Sequence, residues 1–273
     1  MGNNTFKAAD NPALANQLAQ QAMSGGVEAE VPHVLTISTP TDGVVTLPGG
    51  YLSGLGEVYT TAEVRELNGL DEEAISRQPT LGKALTAILS RAVTHIGTEA
   101  ATEASIDNLL SGDADALMLG IYRATFGPTA VLNGYCTDCS TLKQVEVDLA
   151  ADIPVKALLD PVGDRVFTVK GKSTDYTVKL PSRKTQKEMI HNADKTAGEL
   201  NSILLEECVV EIGSSPVLSK LQTQAIGLAD RRTIIEAITS RNPGPQFGTV
   251  QVDCEDCGGK VDVPTSLGTI FRF

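Results

Sequence analysis

With 273 residues, 41% of them hydrophobic, the chain is long enough for one large or two small domains and can bury a sizeable core. Its 22 Lys and Arg are outnumbered by 34 Asp and Glu, giving a net charge of −12. That balance argues against a nucleic-acid partner, which needs a basic surface to displace counterions from phosphates. No stretch approaches the roughly 20 apolar residues of a membrane span, and MGNNTFKAADNPALANQLAQ lacks the basic and apolar regions of a secretory signal, so a cytosolic setting without a membrane partner is expected.

In chain order, residues 1–43 read as an arm. Asp10 or Asn11 can cap a helix, Pro12 suits its first turn, and Gly25 can end it, leaving Leu14, Leu18 and Ala22 as a thin apolar stripe. Such a stripe is too narrow to fold alone and is a candidate for docking on a partner. From Val44, VVTLPGG reads as a strand and Gly-rich turn, EVYTTAEVREL as a second extended segment, and LDEEAISRQ as a short acidic helix. TLGKALTAILSRAVTHIG predicts a core helix with Leu85, Ile88, Leu89 and Ala92 on its apolar face and Gly97 as its cap. SGDADALMLGIYRATFGP predicts a second, capped by Ser111 or Asp113, burying Leu117, Met118, Ile121 and Tyr122, and stopped at Gly127-Pro128.

A strand then leads into CTDC at 136–139, and the alternating Gln144–Leu149 leads away from it. The same design recurs at CEDC, 254–257, between TVQVD and Lys260–Val263. Between them lie two more helix candidates. DKTAGELNSILLEECVV carries Leu200, Ile203, Leu204 and Cys208 on one face; LADRRTIIEAITSRNPGP is capped by Asp230 and halted by Pro243. YTVKLPSR echoes VVTLPGG, which suggests an approximate internal duplication. The basic run Lys179, Arg183, Lys184 and Lys187 reads as a solvated face, because no aromatic residues interleave.

Two Cys-x-x-Cys hairpin tips facing each other supply the four thiolates of a tetrahedral Zn²⁺ site, with ligands Cys136, Cys139, Cys254 and Cys257. Four sulfurs leave no open coordination position, so one structural zinc per chain is expected. A redox reading needs the first cysteine at a helix N-terminus, whereas polar strand-like residues follow both pairs and acidic Asp138, Glu255 and Asp256 lie within them. Cys208 reads as a small buried hydrophobe, and His33, His95 and His191 lack a nucleophile or ligand pair. No phosphate loop or nucleophile motif appears, and no catalytic residues are expected.

The run IDNLLSGDADALMLGIYRATFGPTAVLNGYCTDCSTLKQVEVDL carries Gly112-Asp113, an Arg123-containing apolar helix, Phe126-Gly127, Cys136 to Cys139 and Asp148-Leu149. In these elements, and in its Leu-Pro words, the chain resembles the T-even-type phage baseplate hub assembly chaperone family. Thr137 and the long arm depart from that pattern. The resemblance implies a non-enzymatic tail protein that binds other phage tail or baseplate proteins, in the host cytoplasm during assembly or in the virion baseplate, with self-association into a homo-oligomer open. The alternative is a zinc-ribbon nucleic-acid-binding adaptor, and a third class is a thiol oxidoreductase.

The expected fold is α+β, with two similar small helical and strand lobes joined by a split zinc ribbon of four cysteines. Its parts are an arm (1–43), a first lobe (44–133), a first knuckle and hairpin (134–180), a second, mostly helical lobe (181–245) and a second knuckle with the C-terminal strand (246–273).

Overall fold

A computed structural model of the chain describes residues 43–271. The expected N-terminal helix, with Leu14, Leu18 and Ala22, lies outside the described residues. The fold is α+β. Strands β1 (Val44–Leu52), β2 (Val58–Val64), β3 (Val93–Ile96) and β4 (Glu99–Ala100) form an antiparallel sheet in that order. Helices α1 (Gly69–Ser76) and α2 (Leu81–Ala92) connect β2 to β3, and α3 (Glu103–Asn108) and α4 (Ser111–Phe126) follow β4. After the hairpin β5 (Thr129–Cys136) and β6 (Thr141–Asp148) comes a short strand β7 (Val155–Lys156).

A second four-stranded sheet then repeats the order, with β8 (Val166–Lys170), β9 (Asp175–Lys179), β10 (Val209–Ile212) and β11 (Ser215–Pro216). Helices α5 (Arg183–His191) and α6 (Ala197–Cys208) connect β9 to β10, and α7 (Lys220–Gln224) and α8 (Leu228–Arg241) follow β11. Strand β12 (Gly244–Pro245) pairs with β7, and the hairpin β13 (Thr249–Asp253) and β14 (Lys260–Pro264) precedes a last turn of helix, α9 (Leu267–Ile270). The repetition reaches single residues. Ala62 and Glu63 of β2 pair with Ile96 and His95, and after a bulge Val64 pairs with Val93. Tyr176 and Thr177 of β9 pair with Ile212 and Glu211, and after a bulge at the same place Val178 pairs with Val209. The equivalent of β9 is thus β2, whereas the echo of VVTLPGG in YTVKLPSR aligns β9 with β1.

Several predicted boundaries move, each for a local reason. Helix α2 stops at Ala92 instead of running to Gly97, because β-branched Val93, Thr94 and Ile96 join β2 as a strand; Gly97 (φ 59°) makes the next turn. Helix α6 passes into β10 at Val209 in the same way, and its buried residues are Ile203, Leu205 and Cys208, with Leu200 and Leu204 half-buried. Neither Ser111 nor Asp113 caps α4; the N-cap is Leu110. Ser111 Oγ instead donates to Asn242 Oδ1 at 3.2 Å, and Asp113 Oδ1 accepts the Gly49 N–H at 2.6 Å. Asp230 is likewise inside its helix, which Gly227 caps, and accepts from the Lys172 N–H and the Tyr176 hydroxyl. Strand β1 continues through Leu-Pro-Gly-Gly as a bulge, with Thr46 opposite Thr61 and Tyr51 opposite Tyr59. A side chain at Gly49 would come within 3 Å of Leu110, Asp113 and Pro243, so this close approach requires glycine.

Two apolar clusters result. The larger holds α2 and α4 against the first sheet and extends to Cys136, Cys254 and Val261; the smaller gathers Phe167, Val178, Leu205, Ile234 and Ile238 around the second sheet. Leu110, at the start of α4, belongs to the smaller cluster and forms an isolated bridge with Ser182. The Ser111 N–H donates to the Pro181 carbonyl and the Arg183 N–H to the Leu109 carbonyl, at 2.9 and 2.7 Å. Half of the predicted solvated basic face is therefore wrong. Lys179 and Lys184 are exposed, but Arg183 is 3% exposed and donates to Thr86 Oγ1 on α2, and Lys187 pairs with Glu103 and Asp107.

Buried carboxylates hold the first helices. Asp71 accepts from Arg65 and Arg91, both at 2.6 Å, and closes the capping box of α1 with Asn68; the Arg65 guanidinium holds its pKa well below the usual carboxylate range. Asp113 is the opposite case. Burial pushes it up to about 7 against the opposing pull of the Gly49 N–H and Arg165, and its Oδ2 has no hydrogen-bond partner among the described residues. Because this folded-state value lies above the unfolded one, folding takes up a proton between about pH 4 and pH 7. Asp113 therefore makes stability fall as pH rises through that window, by on the order of 4 kcal/mol, and the loss levels off above it. Urea titrations from pH 4 to 8 should show Asp113→Asn losing less stability across the window than the parent chain.

Candidate metal centre

The two cysteine pairs occupy the tips of two hairpins that pair with each other. β5 alternates strictly, with Ala130, Leu132, Gly134 and Cys136 facing inward, so its last residue delivers a buried sulfur. Cys139 closes the turn before β6, and Cys254 and Cys257 occupy the turn between β13 and β14. Strand β14 then pairs with β5, Val261 opposite Cys136 and Asp262 opposite Tyr135, giving a single sheet in the order β13-β14-β5-β6. A side chain at Gly134 would meet Val261 and Val263, so this glycine lets the two hairpins close on each other.

All four Sγ atoms lie within 4.8 Å of one another. Cys136 Sγ is 3.7 Å from Cys257 Sγ, and Cys139 Sγ is 3.9 Å from Cys254 Sγ. These separations are far beyond a disulfide bond of about 2.05 Å. They match the edges of about 3.8 Å of a tetrahedron whose metal–sulfur bonds are about 2.3 Å. The predicted ligands are thus brought together, and the donor set fits a metal ion held by four thiolates.

Backbone N–H groups point at the sulfurs, but the thiols oppose one another's ionisation. The Cys139 N–H points at Cys136 Sγ and the Gly259 N–H at Cys257 Sγ, each at 3.4 Å. The N–H groups of Asp256 and Cys257 hold Cys254 down at about 7, whereas hydrogen bonding to the Cys257 thiol pushes Cys139 up to about 12. Without a cation the site cannot carry four negative sulfurs. Lys143 of β6 forms an ion pair with Asp256 of the other knuckle, and its ammonium pKa is raised, first by that contact and further by the nearby sulfurs. Sequence reading missed Lys143, because only the β5–β14 pairing brings β6 beside the second turn. Cys208 is remote in character: it is fully buried in the smaller cluster, and burial pushes its thiol up to about 12.

The two turns share one backbone feature. Ser140 and Gly258, each directly after the second cysteine of its pair, have φ of 53° and 72°. Ser140 is the only non-glycine residue with positive φ among the described residues. Gly258 donates its N–H to the Cys254 carbonyl at 2.8 Å, and Gly259 leaves room for Asp138, whose carboxylate would lie 1.9 Å from an added Cβ. The first knuckle therefore packs into the second through a glycine.

These observations define an α+β protein with two repeated sheets and a four-sulfur centre at the junction of its hairpins. Residues 60–271 match the family model of the T4 bacteriophage base plate protein, and the chain belongs to that family. Membership makes it a component of the phage tail. No curated protein and no solved structure matches it. No helix among the described residues is long and apolar enough to cross a membrane.

A left-handed conformation costs a non-glycine residue about 1 kcal/mol. Ser140→Gly should accordingly raise the stability of the metal-loaded protein by about 0.5–1 kcal/mol in urea titrations, with no change in metal content.

Proposed function

We propose that this chain is a non-enzymatic structural subunit or assembly chaperone of the phage base plate hub, acting by binding other tail proteins. In this reading Cys136, Cys139, Cys254 and Cys257 hold one structural Zn²⁺ per chain. The observation that carries it is the four-sulfur cluster: two hairpins far apart in sequence present a closed tetrahedral donor set to one point. Such a set supplies cross-linking and no open position for substrate. Zinc then closes a long loop, whose entropic cost grows only logarithmically with length. The repeated sheet order supports a two-lobed organisation, with the hairpin sheet as the joint between lobes.

Metal analysis of the purified protein should find one zinc per chain, and Cys136→Ser or Cys257→Ser should remove it and lower stability by several kcal/mol. A protein that folds equally well without metal overturns the zinc assignment. For the partner, the arm is the proposed contact, through Leu14, Leu18 and Ala22. Deleting residues 1–30 should leave a folded chain that no longer co-purifies tail proteins from infected cells. Unfolding of the truncated chain, or undiminished capture, defeats that role for the arm.

A further inference from the structure

The element order, strand register and helix starts of the two sheets align α1 with α5, α2 with α6, α3 with α7 and α4 with α8. This alignment exposes an asymmetry. In the first repeat, α2, α3 and α4 form a groove, and α5 lies in it. Gly82 on α2 admits the Ile190 side chain, which would lie 2.1 Å from an added Cβ. Lys187 reaches Glu103 and Asp107, and Gln186 reaches Asp115. In the second repeat the corresponding groove between α6, α7 and α8, about 650 Å³, is open among the described residues. Gly198, the counterpart of Gly82, lines it, and nothing described lies within 4 Å of its would-be Cβ.

The charges of the two grooves are inverted. Glu103 and Asp115 of the first correspond to Lys220 and Arg232 of the second, and Asp107 corresponds to neutral Gln224. The acidic groove takes a basic helix, RKTQKEMIH; the second groove, lined by Arg231 and Arg232 against one carboxylate, Glu236, with Lys220 outside that lining, calls for an acidic one. The helix that aligns with α5 is α1, GLDEEAIS, which has no basic residue. Its Glu72 and Glu73 align with Gln186 and Lys187, the residues of α5 that contact Asp115, Glu103 and Asp107. Both glutamates are exposed, and Glu72 has no ion pair among the described residues. Leu70 on α1 and Leu228 on the groove rim are also exposed, at 70% and 84%.

We propose that the α6–α7–α8 groove binds helix α1 of a second copy of this chain, with Glu72 facing Arg232 and Glu73 facing Lys220. The contact repeats between copies the polar pairing that α5 makes within one copy, with Ser76 of α1 standing where α5 has Ile190. A reciprocal exchange of α1 closes a two-fold dimer, and a one-way contact runs head-to-tail into a ring or an open row. Lys220 currently pairs with Glu206 at 3.0 Å, and Glu73 with Arg77 at 3.0 Å; both pairs are exposed and exchange partners at little cost. This inference goes beyond the proposed function and rests on neither its metal nor its arm.

Sedimentation velocity of the full-length chain, at concentrations up to about 100 μM, tests the contact. The parent chain should self-associate, as a closed dimer or a larger assembly. Glu72→Arg alone and Arg232→Glu alone should each weaken association about tenfold or more, and an equimolar mixture of the two variants should restore it. Gly198→Trp should block association while melting like the parent, because its side chain fills the open seat and displaces nothing described. A chain that stays monomeric throughout overturns the proposal. So does association that ignores these substitutions, a mixture that fails to recover, or a groove that captures only a different tail protein. Zinc content is measured on every sample, so loss of metal is distinguished from loss of contact.

Discussion

The pairing of β14 with β5 is the constraint on which the rest of the molecule depends. Only two residue pairs make it, yet it turns two separate hairpins into one sheet and sets both cysteine turns on the same side. Gly134 permits the approach, and the buried Cys136, Cys254 and Val261 extend the larger apolar cluster up to the sulfurs. Everything between Cys139 and Cys254, the whole second sheet included, is a loop whose two ends this contact brings together. The position of the second repeat is reinforced at another point, where Leu109 to Ser111 run beside Pro181 to Arg183 and Asp113 accepts the Gly49 N–H.

Both repeats solve the same local problem with different side chains. Each first hairpin sends a backbone N–H to an aspartate in the third position of its last helix, Gly49 to Asp113 and Lys172 to Asp230. In the second repeat the other carboxylate oxygen accepts from Tyr176 at 2.8 Å. The residue in the matching register position of β2 is Ala62, which has no hydroxyl to offer. That difference accounts for the orphan oxygen of Asp113, whose carboxyl pKa is pushed up by burial.

What was legible in the sequence was what periodicity and chemistry express locally. The alternation in Gln144–Leu149, the apolar stripe of α4 and the paired cysteines each carry a signal within a few residues. Helix ends were less legible: α2 and α6 pass directly into strands, and nothing in Ala-Val or Cys-Val says that a sheet waits to take up the next residues. Asp113 and Asp230 have the composition of caps, but their acceptors are used by distant backbone that only the tertiary fold supplies. Arg183 and Lys187 had the look of solvated surface because their partners lie some eighty or more residues earlier in the chain. The sulfur cluster was read from spacing alone, whereas Lys143 and the left-handed Ser140 depended on register and on φ.

The opposite signs of the two grooves also set the electrostatic terms on which a helix can enter either one. Helices α1 and α5 hold the same place in the two repeats but are opposite in charge, GLDEEAIS against RKTQKEMIH. Placing Arg183 and Lys187 beside Arg232 and Lys220 sets like charges against each other, and so does placing Glu72 and Glu73 beside Glu103 and Asp115. Each misplacement is repelled at short range before any apolar contact can reward it. The two seats thus share a place in the fold and differ in the charge they accept.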